Sequence, residues 1–195
     1  NGCLTGLSLG RCRIPREGGW HLAEMLRKNL TLHTLWLYGN DLGDEGVAYI
    51  ADALFMNSSL KELYLGGNGV DDAGAMTLCN MLSRNRTVTK LELYRNRIGD
   101  EGAECLADVL QSNRTILDLN LRGNHITLAG AEKLVASLSQ NSTLLRLDIR
   151  DNALSREVAG ALTKVVSDMD TLCKVMVRSE PSPSKRRISS TTGGR

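Results

Sequence analysis

Apolar residues recur along the chain in two patterns that follow each other in turn. In the first, leucines alternate with other residues over a few positions, as in "LHTLWLYGNDL" from Leu32 and "LKELYLGGNGV" from Leu60. This alternation predicts a strand with one buried face. In the second, as in "GDEGVAYIADAL", apolar and small residues are spaced three to four apart, which predicts an amphipathic helix. Each unit of the chain therefore pairs a strand with a helix.

The units repeat every 28 residues without an insertion or a deletion. Copies begin at residues 4, 32, 60, 88, 116, 144 and 172, and the last copy is partial. A strand and helix of this length can bury their apolar faces only against neighbouring copies, so a fixed period predicts a solenoid. We expect seven parallel strands on the inside, six helices on the outside and right-handed connections between them.

Three columns of residues, spaced 28 apart, support this arrangement. Leucine or isoleucine forms an apolar stripe in the helices at Leu22, Ile50, Leu78, Leu106, Leu134 and Leu162. Glycine recurs in the first helical turn at Gly18, Gly46, Gly74, Gly102 and Gly130, where the lack of a side chain would let neighbouring helices approach closely. Asparagine follows the strands at Asn40, Asn68, Asn96, Asn124 and Asn152, where an amide can satisfy turning backbone groups.

The strand segments follow the pattern L-x-x-L-x-L-x-x-N-x-L, and with it residues 4 to about 178 resemble leucine-rich repeats. The 28-residue length, with a helix in each copy, resembles the ribonuclease-inhibitor-like class, which includes NOD-like receptors and the Ran GTPase-activating protein. The resemblance implies an α/β fold, a right-handed leucine-rich-repeat solenoid or horseshoe. It also implies a protein-protein interaction module.

Composition divides the chain into two parts. Residues 1–179 hold the repeats, with 20 basic and 21 acidic residues, whereas residues 180–195 hold four basic residues and one acidic residue. This Ser/Pro-rich basic tail is nearly free of apolar residues, which predicts disorder. The short sequences around Ser182 and Ser189 resemble kinase phosphorylation sites. Because Asn1 stands at a repeat boundary without a capping segment, we expect the chain to be a fragment of a larger protein.

Composition also restricts the location and the partners. Apolar residues make up 42% of the chain and charged residues 24%, and no apolar run approaches the roughly 20 residues of a membrane span. The five scattered cysteines favour free thiols in a reducing compartment, so we expect a cytoplasmic protein without membrane contact. Five Asn-x-Ser/Thr motifs share one repeat position: Asn29, Asn57, Asn85, Asn113 and Asn141. Their regularity favours a structural role over glycosylation.

No group of residues indicates catalysis. His21, His33 and His125 occupy three different repeat positions, so they form no evident triad or metal site. "GGNG" at residues 66–69 lacks the lysine of a phosphate-binding loop, and the basic tail lacks the aromatic residues of a nucleic-acid site. We expect no enzymatic activity, no cofactor, no metal and no nucleic-acid partner.

Four of the seven aromatic residues fall at strand positions between the buried leucines: Trp36, Tyr38, Tyr64 and Tyr94. On a horseshoe these positions face the concave side, and exposed aromatic residues are common in interface hot spots. Gly10 and Gly66 share a repeat position with Tyr38, which indicates that the fold does not require a ring there. In the alternative interpretation, the rings only cover neighbouring leucines.

Farther along the same face the charged residues accumulate. Arg122, Arg150 and Arg178 form a column in successive repeats. Stacked like charges repel unless acidic groups compensate them, so this column predicts a protein partner with an acidic patch. Solvated surface charge is the alternative. On the helix side, Trp20, Phe55 and Met56 mark a second possible contact surface.

Three functional hypotheses follow from these features. The first is a protein-binding module on the concave face, either an intracellular scaffold or the sensing arm of a larger receptor. The second is a Ran-type GTPase activator, for which only Arg11 or Arg13 could supply the early arginine that the resemblance implies. The third is a structural component of a cytoskeletal or ciliary assembly. The type of domain that precedes Asn1 would distinguish the receptor hypothesis from the assembly hypothesis.

Overall fold

The computed structural model describes residues 2–169, 171 and 173–177. The strands are β1 (Gly6–Ser8), β2 (Thr34–Trp36), β3 (Glu62–Tyr64), β4 (Lys90–Glu92), β5 (Asp118–Asn120), β6 (Arg146–Asp148) and β7 (Lys174–Met176). The helices are α1 (Arg16–Lys28), α2 (Gly43–Leu54), α3 (Asp72–Arg84), α4 (Asp100–Ser112), α5 (Leu128–Ser137) and α6 (Arg156–Ser167). This alternation confirms the predicted solenoid.

All seven strands belong to one parallel sheet in the order of the sequence. Each residue lies opposite the residue 28 positions later, so Leu35 is opposite Leu63 and Leu63 is opposite Leu91. The register follows directly from the unbroken period. Side chains that share a repeat position therefore form rows across the sheet, roughly 5 Å apart from strand to strand.

The core lies between the sheet and the helices. The strand row Leu35, Leu63, Leu91, Leu119 and Leu147 is buried, and so is the helix row Ile50, Leu78, Leu106, Leu134 and Leu162. Leu22, in the first helix, is only half-buried. The apolar stripe predicted from the sequence thus faces the sheet.

Two columns of asparagine satisfy the backbone where each repeat turns. The Asn96 amide donates to the carbonyls of Leu65 and Leu93, both at 3.0 Å, and its oxygen accepts from Asn68 N and Val70 N. The second column contains the Asn-x-Ser/Thr motifs. Asn85 is 4% exposed and donates to the Leu54 carbonyl at 2.8 Å. Asn57, Asn113 and Asn141 are likewise buried and bonded, which favours the structural role.

Aspartates link three successive helices to the next repeat. The Asp72 carboxylate accepts from Gly99 N at 2.7 Å and from Gly102 N at 2.9 Å. A Cβ at Gly102 would lie 2.7 Å from the same carboxylate oxygen, so the close approach requires glycine. Asp44 and Asp100 make the equivalent bonds. The series ends at α5, where Leu128 stands in the aspartate position and Val158 replaces the next glycine.

Several predictions concern residues outside this description. Arg178 and the predicted disordered tail, residues 180–195, lie outside the described residues. Within the described part, no helix has the length and apolar character needed to cross a membrane, and no three His, Cys, Asp or Glu side chains are grouped to hold a metal. No disulfide joins any two of the described cysteines.

Candidate protein-binding face

The open face is the side of the sheet that the helices do not cover. Its side chains form three rows, taken from the first and last residue of each strand and from the residue two positions after the strand. Between β2 and β6, these rows are Thr34, Glu62, Lys90, Asp118 and Arg146; Trp36, Tyr64, Glu92, Asn120 and Asp148; and Tyr38, Gly66, Tyr94, Arg122 and Arg150. The face is aromatic toward β2 and β3 and charged toward β5 and β6.

Trp36 and Tyr64 form a stacked pair on the open face. Their ring centroids are 5.7 Å apart and the ring planes differ by 26°. Both side chains are half-buried, so part of each ring remains exposed to solvent. The Tyr64 hydroxyl donates to Glu62 Oε2 at 2.8 Å, and Lys90 Nζ lies 5.3 Å from the centre of the Tyr64 ring. These contacts hold the pair in one orientation.

The two remaining tyrosines of the open face, Tyr38 and Tyr94, each lie against a glycine of the preceding repeat. A Cβ at Gly10 would lie 2.5 Å from the ring of Tyr38, and a Cβ at Gly66 would lie 2.3 Å from that of Tyr94. The alternation of glycine and tyrosine is therefore a packing relationship. Gly10 and Gly66 do not mark a tolerant position, because each leaves the space that the next ring fills. The strict Gly-Tyr-Gly-Tyr order along the column was the available sequence signal.

Burial acts on two tyrosine hydroxyls of the open face. It raises the pKa of the Tyr64 phenol, and the hydrogen bond to Glu62 adds to the effect. Burial also raises the pKa of the Tyr94 phenol, and the negative charge of Glu92 adds to it. A tyrosine hydroxyl is already neutral near pH 7, and the upward shifts extend the pH range over which Tyr64 and Tyr94 can donate hydrogen bonds.

The predicted arginine column is compensated within the chain. Asp148 is completely buried and accepts from Arg150 Nε at 2.9 Å and from Arg150 Nη2 at 2.6 Å. Arg122 Nε donates to Asp151 Oδ2 at 2.6 Å. These carboxylates fix two guanidiniums in position. Two of the three arginines are thus brought onto the open face, and the third, Arg178, lies outside the described residues.

A second set of charges connects neighbouring strands. Lys90 Nζ lies 3.3 Å from Glu92 and 3.4 Å from Asp118, and Arg146 lies 3.7 Å from Asp118. Burial disfavours the charge on Lys90, but the two carboxylates outweigh it and raise the Lys90 pKa. Sequence reasoning assigned Lys90 no role. The signal was the alternation of charge along its row, from Glu62 through Lys90 to Asp118.

Beside these charges lies a hollow of about 300 Å³. We call it the arginine hollow, and it is lined by Tyr94, Arg95, Asn120, Arg122, Arg146, Asp148 and Arg150. It contains four guanidiniums and one carboxylate. The sequence predicted Arg122 and Arg150 as binding residues, but it did not show that four arginines line one hollow, because these residues come from three strands and no short segment shows them together.

On the helix side, Trp20, Phe55 and Met56 are exposed to 47%, 37% and 85%. Phe55 and Met56 border a groove of about 730 Å³ between α2 and α3, and the Arg84 guanidinium lies 6.0 Å from the centre of the Phe55 ring. Trp20 does not line this groove. The second contact surface predicted from the sequence is therefore split into two separate exposed places.

Comparisons with known proteins agree with this architecture. The model of the TMOD/LMOD leucine-rich domain matches residues 68–192, and a leucine-rich repeat model matches residues 28–51. No curated protein matches the chain. Among solved structures, leiomodin-1 actin-binding site 2 is 23% identical, with a TM-score of 0.61 over 72% of this chain and 82% of that one.

A protein from Bacteroides fragilis also matches, with 13% identity over 85% of this chain and 62% of that one. Its TM-score of 0.40 is too low to support an argument. The leiomodin-1 likeness supports the leucine-rich-repeat fold.

Proposed function

Because the chain belongs to the TMOD/LMOD leucine-rich domain family, we propose that it binds a partner protein on the open face of its sheet. The single observation that carries this proposal is the half-exposed stack of Trp36 on Tyr64. A stacked and oriented aromatic pair loses little conformational freedom on binding and offers a large apolar surface. Such residues often dominate the energy of protein interfaces.

Actin is the first partner that the proposal names. The family match covers most of the chain, and the solved leiomodin-1 structure is described as an actin-binding site. These two points favour the hypothesis of a cytoskeletal component over a receptor arm or a Ran-type GTPase activator. Arg11 and Arg13, the two candidates for the activator's early arginine, lie exposed after β1 with positive φ.

The finer classification and the location belong to the same proposal. We assign the repeats to the ribonuclease-inhibitor-like class because every 28-residue period carries a helix from α1 to α6. We propose a cytoplasmic location on account of the cysteine usage, and binding without catalysis as the activity. The open face would be the concave side of the horseshoe.

The test is a binding isotherm for actin with the native chain and with Trp36→Ala. We expect Trp36→Ala to weaken binding by about 2 kcal/mol, as is common for a central aromatic residue of an interface. Trp20→Ala is the matched control, because it removes the other tryptophan from an exposed position on α1. It should leave the isotherm unchanged.

Melting curves of both variants separate binding from folding. If Trp36→Ala binds actin normally, or loses binding only in proportion to a lower melting temperature, the open face is not the binding surface. If the native chain does not bind actin, the same two variants are compared against the partner that the native chain retains from a cytoskeletal extract. Loss of that partner with Trp20→Ala, but not with Trp36→Ala, would move the site to the helix side.

A further inference from the structure

The arginine hollow has more positive charge than its own carboxylate can neutralise. Four guanidiniums and one carboxylate, that of Asp148, line it. Asp151 compensates Arg122 from beside the hollow. The two carboxylates at hydrogen-bond distance hold only Arg122 and Arg150, so the other two guanidiniums leave a surplus of positive charge in the hollow.

The surplus is carried by two particular residues. Arg95 is exposed and makes no ion pair with any described residue. Among the described residues, the carboxylate oxygens nearest to Arg146 lie at 3.7 Å, from Asp118, and at 3.8 Å, from Asp148, which is beyond hydrogen-bond distance. Their N–H groups are thus available for an added acceptor. Arg122 and Arg150, by contrast, are already fixed by Asp151 and Asp148.

One neutral donor, the Tyr94 hydroxyl, borders the same space. The Asn120 amide also lines it, but its NH2 group donates to Glu92 Oε2 at 2.6 Å and its oxygen accepts from Arg122 N at 3.0 Å. Guanidinium groups bind carboxylates in a planar arrangement with paired hydrogen bonds. Two guanidiniums with open N–H groups line this one hollow and can each bind a carboxylate.

We propose that the arginine hollow binds a pair of carboxylates from an acidic segment of the partner protein. This inference rests on the proposed function, because a protein partner on the open face would supply the segment. The open donors are those of Arg95 and Arg146, while Arg122 and Arg150 hold the charged wall of the hollow in place. Tyr94 borders the hollow on its aromatic side.

The sheet also gives the spacing of the partner's residues. From Tyr64 on β3 to Arg146 on β6 there are three strand intervals, or about 15 Å at the usual strand separation. An extended segment covers that distance in roughly four or five residues. A partner that contacts both regions would therefore carry an apolar residue about four or five positions from its acidic pair.

The experiment titrates the full chain with a short peptide and follows the arginine side-chain signals by NMR. The probe is acetyl-Gly-Asp-Asp-Gly-amide, and its matched control is acetyl-Gly-Asn-Asn-Gly-amide. We expect saturable shifts of the Arg95 and Arg146 signals with the first peptide and none with the second. Inorganic phosphate is titrated in parallel to test the other common oxyanion.

Variants assign the binding to the hollow. Arg95→Gln and Arg146→Gln should each lower the affinity for the Asp-Asp peptide by about tenfold, the usual effect of losing a charged hydrogen bond. Arg97→Gln is the matched control, because Arg97 is exposed two residues from Arg95 and does not line the hollow. Arg95→Gln breaks no ion pair among the described residues, so it tests the hollow without disturbing the fold.

Three results would overturn the proposal. These are the absence of saturable binding, an equal loss in Arg97→Gln, and tighter binding of phosphate than of the Asp-Asp peptide with the same arginine dependence. The last would reassign the hollow to a phosphoryl group. Trp36→Ala should not change the peptide titration. If the peptide fails while the partner still requires Trp36, only the hollow is refuted; if the peptide binds while Trp36 is dispensable, the proposed function fails instead.

Discussion

The two halves of the open face share one backbone and one register but hold their side chains in different ways. Toward β2 and β3, Trp36 stacks on Tyr64, whereas toward β6 the guanidinium of Arg150 is held by a completely buried Asp148. The aromatic half offers apolar area, which salt affects little. The charged half offers ion pairs, which salt screens. On one face, the aromatic half can therefore supply affinity while the charged half orients the partner.

The largest expected effect concerns the core that both halves share. Leu106 is 1% exposed on α4, so Leu106→Ala should lower the free energy of unfolding by about 2 to 5 kcal/mol through lost burial and a residual cavity. Denaturant unfolding measures this loss. Trp36→Ala should cost much less stability. If the two losses are equal, Trp36 belongs to the core and the two halves do not differ as described.

The next effect tests how the charged half is held. Asp148→Ala leaves Arg150 without its carboxylate at a largely buried site, and we expect a loss of about 2 to 4 kcal/mol in the free energy of unfolding. Asp151→Ala removes a more exposed partner, that of Arg122, and should cost no more than about 1 kcal/mol. Equal losses in the two variants would show that burial of Asp148 has no special role.

A smaller effect tests how the aromatic half is held. The Cβ of Gly66→Ala would meet the Tyr94 ring, and because the ring can move toward solvent, we expect a loss of only about 1 kcal/mol. In a Tyr94→Ala background the same substitution should cost nearly nothing. A double-mutant cycle by thermal unfolding measures this coupling. Additive losses would mean that the glycine and the ring act independently.

The smallest effect is the difference in salt dependence between the halves. Raising the salt concentration should weaken partner binding, because salt screens the ion pairs of the charged half. The loss of binding free energy caused by Trp36→Ala should stay the same at low and high salt. Isotherms of the native chain and the variant at two salt concentrations give both quantities. If the Trp36→Ala loss changes with salt as much as native binding does, the halves are not separable.

The period alone was sufficient to predict the sheet, because an unbroken spacing of 28 leaves only one register for Leu35 and Leu63. The positions of the aromatic rings on the open face follow from the same spacing. Contacts between side chains at different repeat positions do not follow from the spacing. Asp148 stands between buried Leu147 and Ile149 like any strand residue, and only the structure shows that it is enclosed and bonded to Arg150. Side-chain length and direction, which the period does not contain, decide such contacts.

The aspartates that link neighbouring helices make some joints of the solenoid more resistant to force than others. Asp44, Asp72 and Asp100 each tie one helix to the backbone of the next, and Leu128 provides no such tie to α6. A pulling force that enters from the C-terminal side would therefore meet its weakest joint between α5 and α6. We expect the sixth repeat to peel away first in an optical trap, while the repeats that carry Trp36 and Tyr64 stay folded under load.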